Sequence, residues 1–207
     1  MTLSRLVLVR HGETDYNAEG RMQGHLDSEL TLLGREQIRR AAPVLAGYDP
    51  ARLISSDLTR AARTAEPVGE ACELPVKLDP RLRETHLGQW QGLTLPEVEE
   101  GWPGLIAQWR SDPGWAPPDG ESRVDVAARV TPLVDELAEE MADGPPETVL
   151  LITHGGLIAS LTCALMGLPA PAWTALSGPG NARWTVLRLR LGSWRLAGHN
   201  LGREPLP

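Results

Sequence analysis

Two segments of the chain share one design. Each is an apolar run ending in a histidine followed by glycine: Leu6-Val7-Leu8-Val9-Arg10-His11-Gly12 and Val149-Leu150-Leu151-Ile152-Thr153-His154-Gly155. In open α/β sheets ligands sit beyond the carboxyl ends of the strands. Both histidines would therefore open onto one crevice if the two strands are neighbours. The glycines let a ligand approach the backbone closely. The helix expected after Gly156 adds a positive dipole end suited to an anion. Arg10 stands next to His11, and Arg60 lies in Ser55-Ser56-Asp57-Leu58-Thr59-Arg60-Ala61. Two arginines and two histidines around a crevice make a pocket for a dianion, because a guanidinium grips phosphate through two parallel hydrogen bonds. The plainer reading pairs Arg10 and Arg60 with surface carboxylates and makes each histidine structural. The carboxylate candidate is Glu84, in Arg81-Leu82-Arg83-Glu84-Thr85-His86-Leu87-Gly88. Phosphoryl transfer to a histidine needs a proton for the leaving alcohol, and a glutamic acid kept partly protonated by its pocket can supply it. Its plainer role is an ion pair with Arg81 or Arg83.

The elements that must position these groups alternate between strand and helix patterns. Residues 5–9 read as a short buried strand. Residues 31–46 read as a helix with Thr31 as N-cap and Gly47 as its stop. Residues 52–55 form a second strand. Asp57 is expected to begin a helix that runs toward Cys72 and is kinked or divided at Pro67. A third short strand covers residues 76–78. From residue 89 to 122 the pattern breaks down, with recurrent Gly and Pro and four tryptophans, Trp90, Trp102, Trp109 and Trp115. This stretch is expected to be a cap insertion with one short helix near residues 103–110. A helix over 124–141, a buried strand over 148–153 and a helix opened by His154-Gly155-Gly156 follow. The chain then reads as a hairpin, with strands over 183–191 and 194–196 turning at Gly192-Ser193. The alternation predicts an α/β fold, a three-layer α/β/α sandwich with a mostly parallel sheet. Residues 1–207 are expected to form a single domain, with the cap insertion at about 89–122.

Composition narrows the function classes. With 207 residues, 42% of them hydrophobic, the chain can bury a sizeable core. A net charge of -7 argues against a general nucleic-acid binder. No run of about 18 apolar residues exists, so no membrane span is expected. The only two cysteines, Cys72 and Cys163, read as small buried apolar residues in a reducing cytoplasm. There is no HExxH motif and no aspartate cluster, so neither a metal nor another cofactor is expected. Phe is absent, so the seven tryptophans read mainly as core bulk. The other reading has Trp109 or Trp115 stacking on a sugar. His25, His86 and His199 read as structural or surface residues.

Taken together, the motifs resemble the histidine phosphatase superfamily, which includes the cofactor-dependent phosphoglycerate mutases. Leu8-Val9-Arg10-His11-Gly12-Glu13-Thr14 resembles its opening motif, continued by Asn17, Arg21-Met22-Gln23-Gly24 and Leu30-Thr31-Leu32-Leu33-Gly34. The segments around Arg60, Glu84 and His154 resemble its second arginine, acid and second histidine motifs. The resemblance implies that His11 is the nucleophile and becomes a phosphohistidine. Arg10, Arg60 and His154 would hold the phosphoryl oxygens. Asn17 and Gln23 would donate further hydrogen bonds, with Gly24 and Gly155 also at the substrate. Glu84 would protonate the leaving oxygen and then activate water. Trp90-Gln91-Gly92-Leu93, Trp115-Ala116-Pro117, residues 120–129 and Gly180-Asn181-Ala182-Arg183-Trp184 resemble the branch that hydrolyses glucosyl-3-phosphoglycerate. A phosphatase of that small phosphorylated sugar acid is therefore expected. A phosphoglycerate mutase, a broad-specificity phosphomonoesterase and a non-catalytic ligand-binding member are the alternatives. The mutase branch carries paired arginines in its cap for a second anion, whereas residues 107–113 here hold only Arg110. The resemblance also implies a homodimer.

Overall fold

The centre of the sheet is made of uninterrupted apolar runs. β1 (Thr2–Arg10) and β4 (Pro146–Thr153) lie side by side in parallel. Leu6, Val7, Leu8 and Val9 of β1 and Val149, Leu150, Leu151 and Ile152 of β4 are all fully buried. Strands covered on both faces need no polar side, so alternation disappears from their sequence. This computed structural model describes residues 2–142 and 144–202; Met1 and residues 203–207 of the expected domain lie outside it. β2 (Pro50–Ser55) pairs in parallel with β4, and β3 (Val76–Leu78) in parallel with β2. On the other side of β1, β5 (Trp184–Arg190) and β6 (Ser193–Leu201) form an antiparallel hairpin. The order is β3-β2-β4-β1-β5-β6, so the sheet is parallel through its first four strands.

Seven helices are described: α1 (Asp15–Ala18), α2 (Leu32–Ala46), α3 (Thr59–Cys72), α4 (Leu95–Gly101), α5 (Leu105–Ser111), α6 (Arg123–Glu140) and α7 (Gly155–Leu165). Successive strand side chains point to opposite faces, and the two cores follow that period. Leu6, Leu8, Val149 and Leu151 pack with α6 and α7. Val7, Val9, Leu150 and Ile152 pack with α2 and α3. The three-layer α/β/α expectation therefore holds. Thr31 caps α2 through the Gly34 amide and Gly47 ends it, as the sequence predicts.

Five local expectations need correction. α3 begins at Thr59 rather than Asp57, because Asp57 is held by Arg83 (Oδ1 to Nε, 2.7 Å). The Thr59 amide donates instead to Asp27 Oδ1, 2.9 Å away and 32 residues upstream. α3 also runs undivided through Pro67. The 89–122 segment holds two helices, not one; Thr94 and Glu97 form a capping box that starts α4, a signal legible as Thr-x-x-Glu. The β5–β6 turn falls at Leu191-Gly192, one residue earlier than expected, with φ of 51° and 76°. Two positive φ values match the strand twist, but a leucine rarely takes one, which hides the turn. Finally, Cys163 is buried whereas Cys72 is only half-buried, and neither forms a disulfide.

The tryptophans supply apolar bulk to the clusters of the fold. Trp90, Trp102, Trp109 and Trp115 join Leu87, Val98 and Ile106 in a separate cluster under α4 and α5. Trp173, Trp184 and Trp194 pack into the remaining clusters.

Candidate active site

β1 and β4 deliver both histidines to one place. Arg10 is in register with Thr153, so His11 and His154 follow at the same level with ring centroids 5.2 Å apart. A cavity of about 210 Å³ opens there, lined by Arg10, His11, Asn17, Gln23, Gly24, Arg60 and Glu84, with Gly156 at the α7 end. Trp109, Met22, Leu87, Thr85 and Arg21 complete the wall. Seven residues that were expected around a phosphate, from distant stretches of sequence, thus converge.

His11 has a defined tautomer. Its Nδ1 lies 2.7 Å from the Gly12 carbonyl oxygen, which can only accept, so Nδ1 carries the proton and Nε2 keeps a lone pair. Burial, then the cations Arg60 and Arg10, push the ring well below the ordinary imidazole value. The ring is therefore neutral at pH 7, as a nucleophile requires.

Arg60 is 1% exposed and forms no ion pair among the described residues. It donates to the carbonyls of Gly24 (2.7 Å) and Leu26 (2.8 Å), fixing the loop that carries Gln23. Arg10 donates to Pro179 O at 2.8 Å. The Nε of each arginine is buried without a protein partner among the described residues, an unmet donor of the kind an anion satisfies. Burial lowers Arg60 to about 10 and also lowers Arg10, with Glu84 opposing in both cases; both remain cations at pH 7. The surface-pairing alternative is thus excluded for the described residues.

Glu84 sits at the amino end of α7. Its Oε2 accepts from the Gly156 amide (3.0 Å), and Oε1 accepts from the amides of Leu157 (3.1 Å) and Thr85 (2.8 Å). Arg81 pairs with Asp79 and Glu136, and Arg83 with Asp57, so neither neighbour takes Glu84.

His154 and Gly155 stand next to the lining residues rather than among them, with the His154 ring 5.2 Å from that of His11. The Arg10 guanidinium lies over Gly155, where an added Cβ would come within 3.5 Å of Arg10 Nε; Gly156 takes the wall position. His154 stands behind, at 0% exposure. Ser56 Oγ accepts from the Leu58 amide (3.3 Å) and lies 2.9 Å from His154 Nε2. His154 Nδ1 is buried without a partner among the described residues. Burial and Arg60 push this ring well below the ordinary value too.

The amides are oriented by their oxygens. Gln23 Oε1 accepts from Ser28 Oγ (2.6 Å), which leaves Nε2 free to donate. Asn17 Oδ1 accepts from Thr14 and from Asn181 Nδ2 (2.9 Å), and Asn181 also donates to His11 O (3.2 Å). Asn181 carries no chemical signature in the sequence, standing 170 residues from His11. His25 and His199 are bonded within the fold, to Glu84 O and Thr185 Oγ1.

A strand-end imidazole with a free lone pair, two buried guanidiniums and a carboxylate on one cavity define a phosphoryl-transfer site. Residues 6–202 match the model of the histidine phosphatase superfamily (branch 1), and the chain belongs to that family. It is 53% identical to the glucosyl-3-phosphoglycerate phosphatase of Mycobacterium tuberculosis over 199 residues, covering 94% of this chain and 88% of that protein. It is 36% identical to a probable phosphoglycerate mutase of Salmonella arizonae over 190 residues, 90% of this chain and 80% of that one. Among solved structures, the mycobacterial glucosyl-3-phosphoglycerate phosphatase in complex with VO3 superposes with a TM-score of 0.91 at 52% identity, over 95% of this chain and 99% of that one. Its complex with inorganic phosphate gives 0.90 at 50% identity, over 96% and 98%.

Proposed function

We propose that this chain is a phosphatase that hydrolyses glucosyl-3-phosphoglycerate to glucosylglycerate and phosphate through a phosphohistidine. The observation that carries the substrate is the reach of the match: 53% identity over 94% of the chain takes in the 89–122 segment. That segment supplies Trp109 to the cavity, beside Leu87, on the side where a leaving alcohol must lie.

His11 Nε2 attacks phosphorus, and the bond from phosphorus to the alcohol oxygen breaks. Glu84 gives that oxygen a proton. Arg10 and Arg60 offset the charge spread over the phosphoryl oxygens, and Gln23, Asn17 and His154, its proton assigned in this reading to the unpartnered Nδ1, add donors. Water then attacks the phosphohistidine, Glu84 takes its proton, and His11 is restored. Hydrolysis is preferred over mutase chemistry because Arg110, the one arginine on α5, is not among the residues lining the cavity. A single domain with a cap at about 89–122, a cytoplasmic site of action and a homodimer are parts of the same reading.

The test is phosphate release from glucosyl-3-phosphoglycerate, mannosyl-3-phosphoglycerate, 3-phosphoglycerate and an aryl phosphate. Mutase activity is assayed alongside, with and without bisphosphoglycerate. Simple 3-phosphoglycerate lacks the sugar, so its kcat/KM is expected to be about 10- to 100-fold lower. A value equal to or above that of the glucosyl compound rejects the sugar-acid reading and leaves the broader phosphatase or the mutase.

A further inference from the structure

Glu84 hangs from an irregular loop between β3 and the Trp-rich segment, and no sheet ladder or α-helix holds that loop. Its backbone carbonyls must nonetheless be satisfied. Leu82 O accepts from Thr153 Oγ1 (2.7 Å), and His86 O accepts from the Glu121 amide (2.7 Å). The carbonyls of Arg81, Arg83 and Glu84 all accept from one side chain, Arg129 of α6, and that of Glu84 is also met by His25 Nε2 (2.7 Å). Arg129 Nη1 donates to Arg81 O (2.6 Å) and Arg83 O (3.2 Å); Nη2 donates to Arg83 O and Glu84 O (3.2 Å each). The same guanidinium is held by Glu121 through Nε–Oε1 (2.9 Å) and Nη2–Oε2 (3.0 Å). Glu121 in turn accepts from the His86 amide (2.8 Å). Arg129 therefore ties three things together: the loop bearing Glu84, the chain leaving the Trp-rich segment, and the rigid helix α6.

We propose that Arg129, locked by Glu121, is the positioning residue that sets Glu84 for proton transfer to the leaving group. The inference rests on the proposed role of Glu84 as the acid. The α7 amides orient the carboxylate head, and Arg129 fixes the backbone from which that head reaches the cavity. Proton transfer is sensitive to small misplacements, so loosening the loop costs rate where a proton is needed and nowhere else. A lysine presents a single ammonium on a flexible stem and cannot bridge three carbonyls and a carboxylate at once.

The leaving group separates this role from a merely structural one. kcat/KM is measured for Arg129→Gln, Arg129→Lys and Glu84→Gln on two esters, with the folded fraction checked by circular dichroism and thermal melting. Glucosyl-3-phosphoglycerate expels an alcohol that needs a proton; 2,4-dinitrophenyl phosphate expels a stable phenolate that does not. Should the wild-type enzyme not turn over the glucosyl compound, that alone overturns the substrate reading, and 3-phosphoglycerate serves as the alkyl ester. On the alkyl ester Glu84→Gln is expected to lose about 100-fold or more and Arg129→Gln about 10- to 100-fold, with Arg129→Lys between it and wild type. On the dinitrophenyl ester the two Arg129 variants are expected to stay within roughly threefold of wild type, and Glu84→Gln to lose far less than on the alkyl ester. Equal losses on both esters in the Arg129 variants, or no loss on either, overturn the proposal while leaving Glu84 as the acid. If Glu84→Gln shows no dependence on the leaving group, the acid assignment falls and the positioning role falls with it.

Discussion

At His11 the proton inventory decides the chemistry. Gly12 O fixes the proton on Nδ1, and burial among cations keeps the ring neutral. Among the described residues that line the cavity, His11 is the only imidazole. His11→Ala is therefore expected to abolish turnover while the protein stays folded by circular dichroism; near-wild-type activity in the folded variant would remove His11 from its role. The same electrostatics couple to stability. Buried His11 and His154 resist protonation in the native state, whereas in the unfolded chain each takes up a proton as the pH falls through about 6.5. The unfolded state then binds more protons, so stability is complete above that value and is lost progressively below it, toward the depressed native values. Carboxylates held down by arginines, such as Glu36 at about 2, begin to count only near their ordinary value of 4.5. The urea midpoint is accordingly expected to drop between pH 7.5 and 5.5, and an unchanged or higher midpoint at pH 5.5 would contradict the buried neutral histidines.

At the scale of elements, the amino end of α7 is made to fit the acid: Gly156 leaves room for the Glu84 carboxylate, whereas a Cβ at residue 155 would meet Arg10 Nε only at an ordinary contact of 3.5 Å. A Cβ at residue 156 would come within 2.6 Å of Glu84 Oε1 and 2.9 Å of Thr85 Oγ1. Glu84 would have to leave the α7 amides, whereas the backbone of α7 could remain helical because alanine is a good helix former. Gly156→Ala is expected to lower kcat by about 100-fold with a change in stability of less than about 1 kcal/mol. Steady-state kinetics beside a urea titration check this, and an unaltered kcat would show that the carboxylate contact does not matter.

The whole molecule sets a local field against its overall charge. The chain carries a net charge of -7, yet its cavity is lined by two buried guanidiniums that form no ion pair among the described residues. A low-dielectric site of this kind attracts a small dianion whatever the sign of the surface. Because Arg10 and Arg60 already meet the charge of the phosphoryl group, activity is expected to survive exhaustive treatment with EDTA. Loss on chelation, restored by magnesium or zinc, would contradict the assignment of charge stabilisation to these arginines.

What the sequence determines by itself is local. The runs ending at His11 and His154 specify buried strands because a strand covered on both faces shows as a continuous apolar stretch. Thr31 and Gly47 specify the limits of α2 because caps act within a turn of the helix end. The residue types of the site are legible for the same reason, each lying in a short motif. Tertiary structure decides what depends on distant partners. The register of β1 on β4 sets the two histidines side by side, and Asp27 rather than Asp57 caps α3. Gly155 passes behind Arg10 and leaves the cavity wall to Gly156. Asn181 and Arg129 enter the site's support only through the fold, because their hydrogen bonds reach backbone carbonyls 45 to 170 residues away, and a carbonyl leaves no mark on the sequence that supplies it.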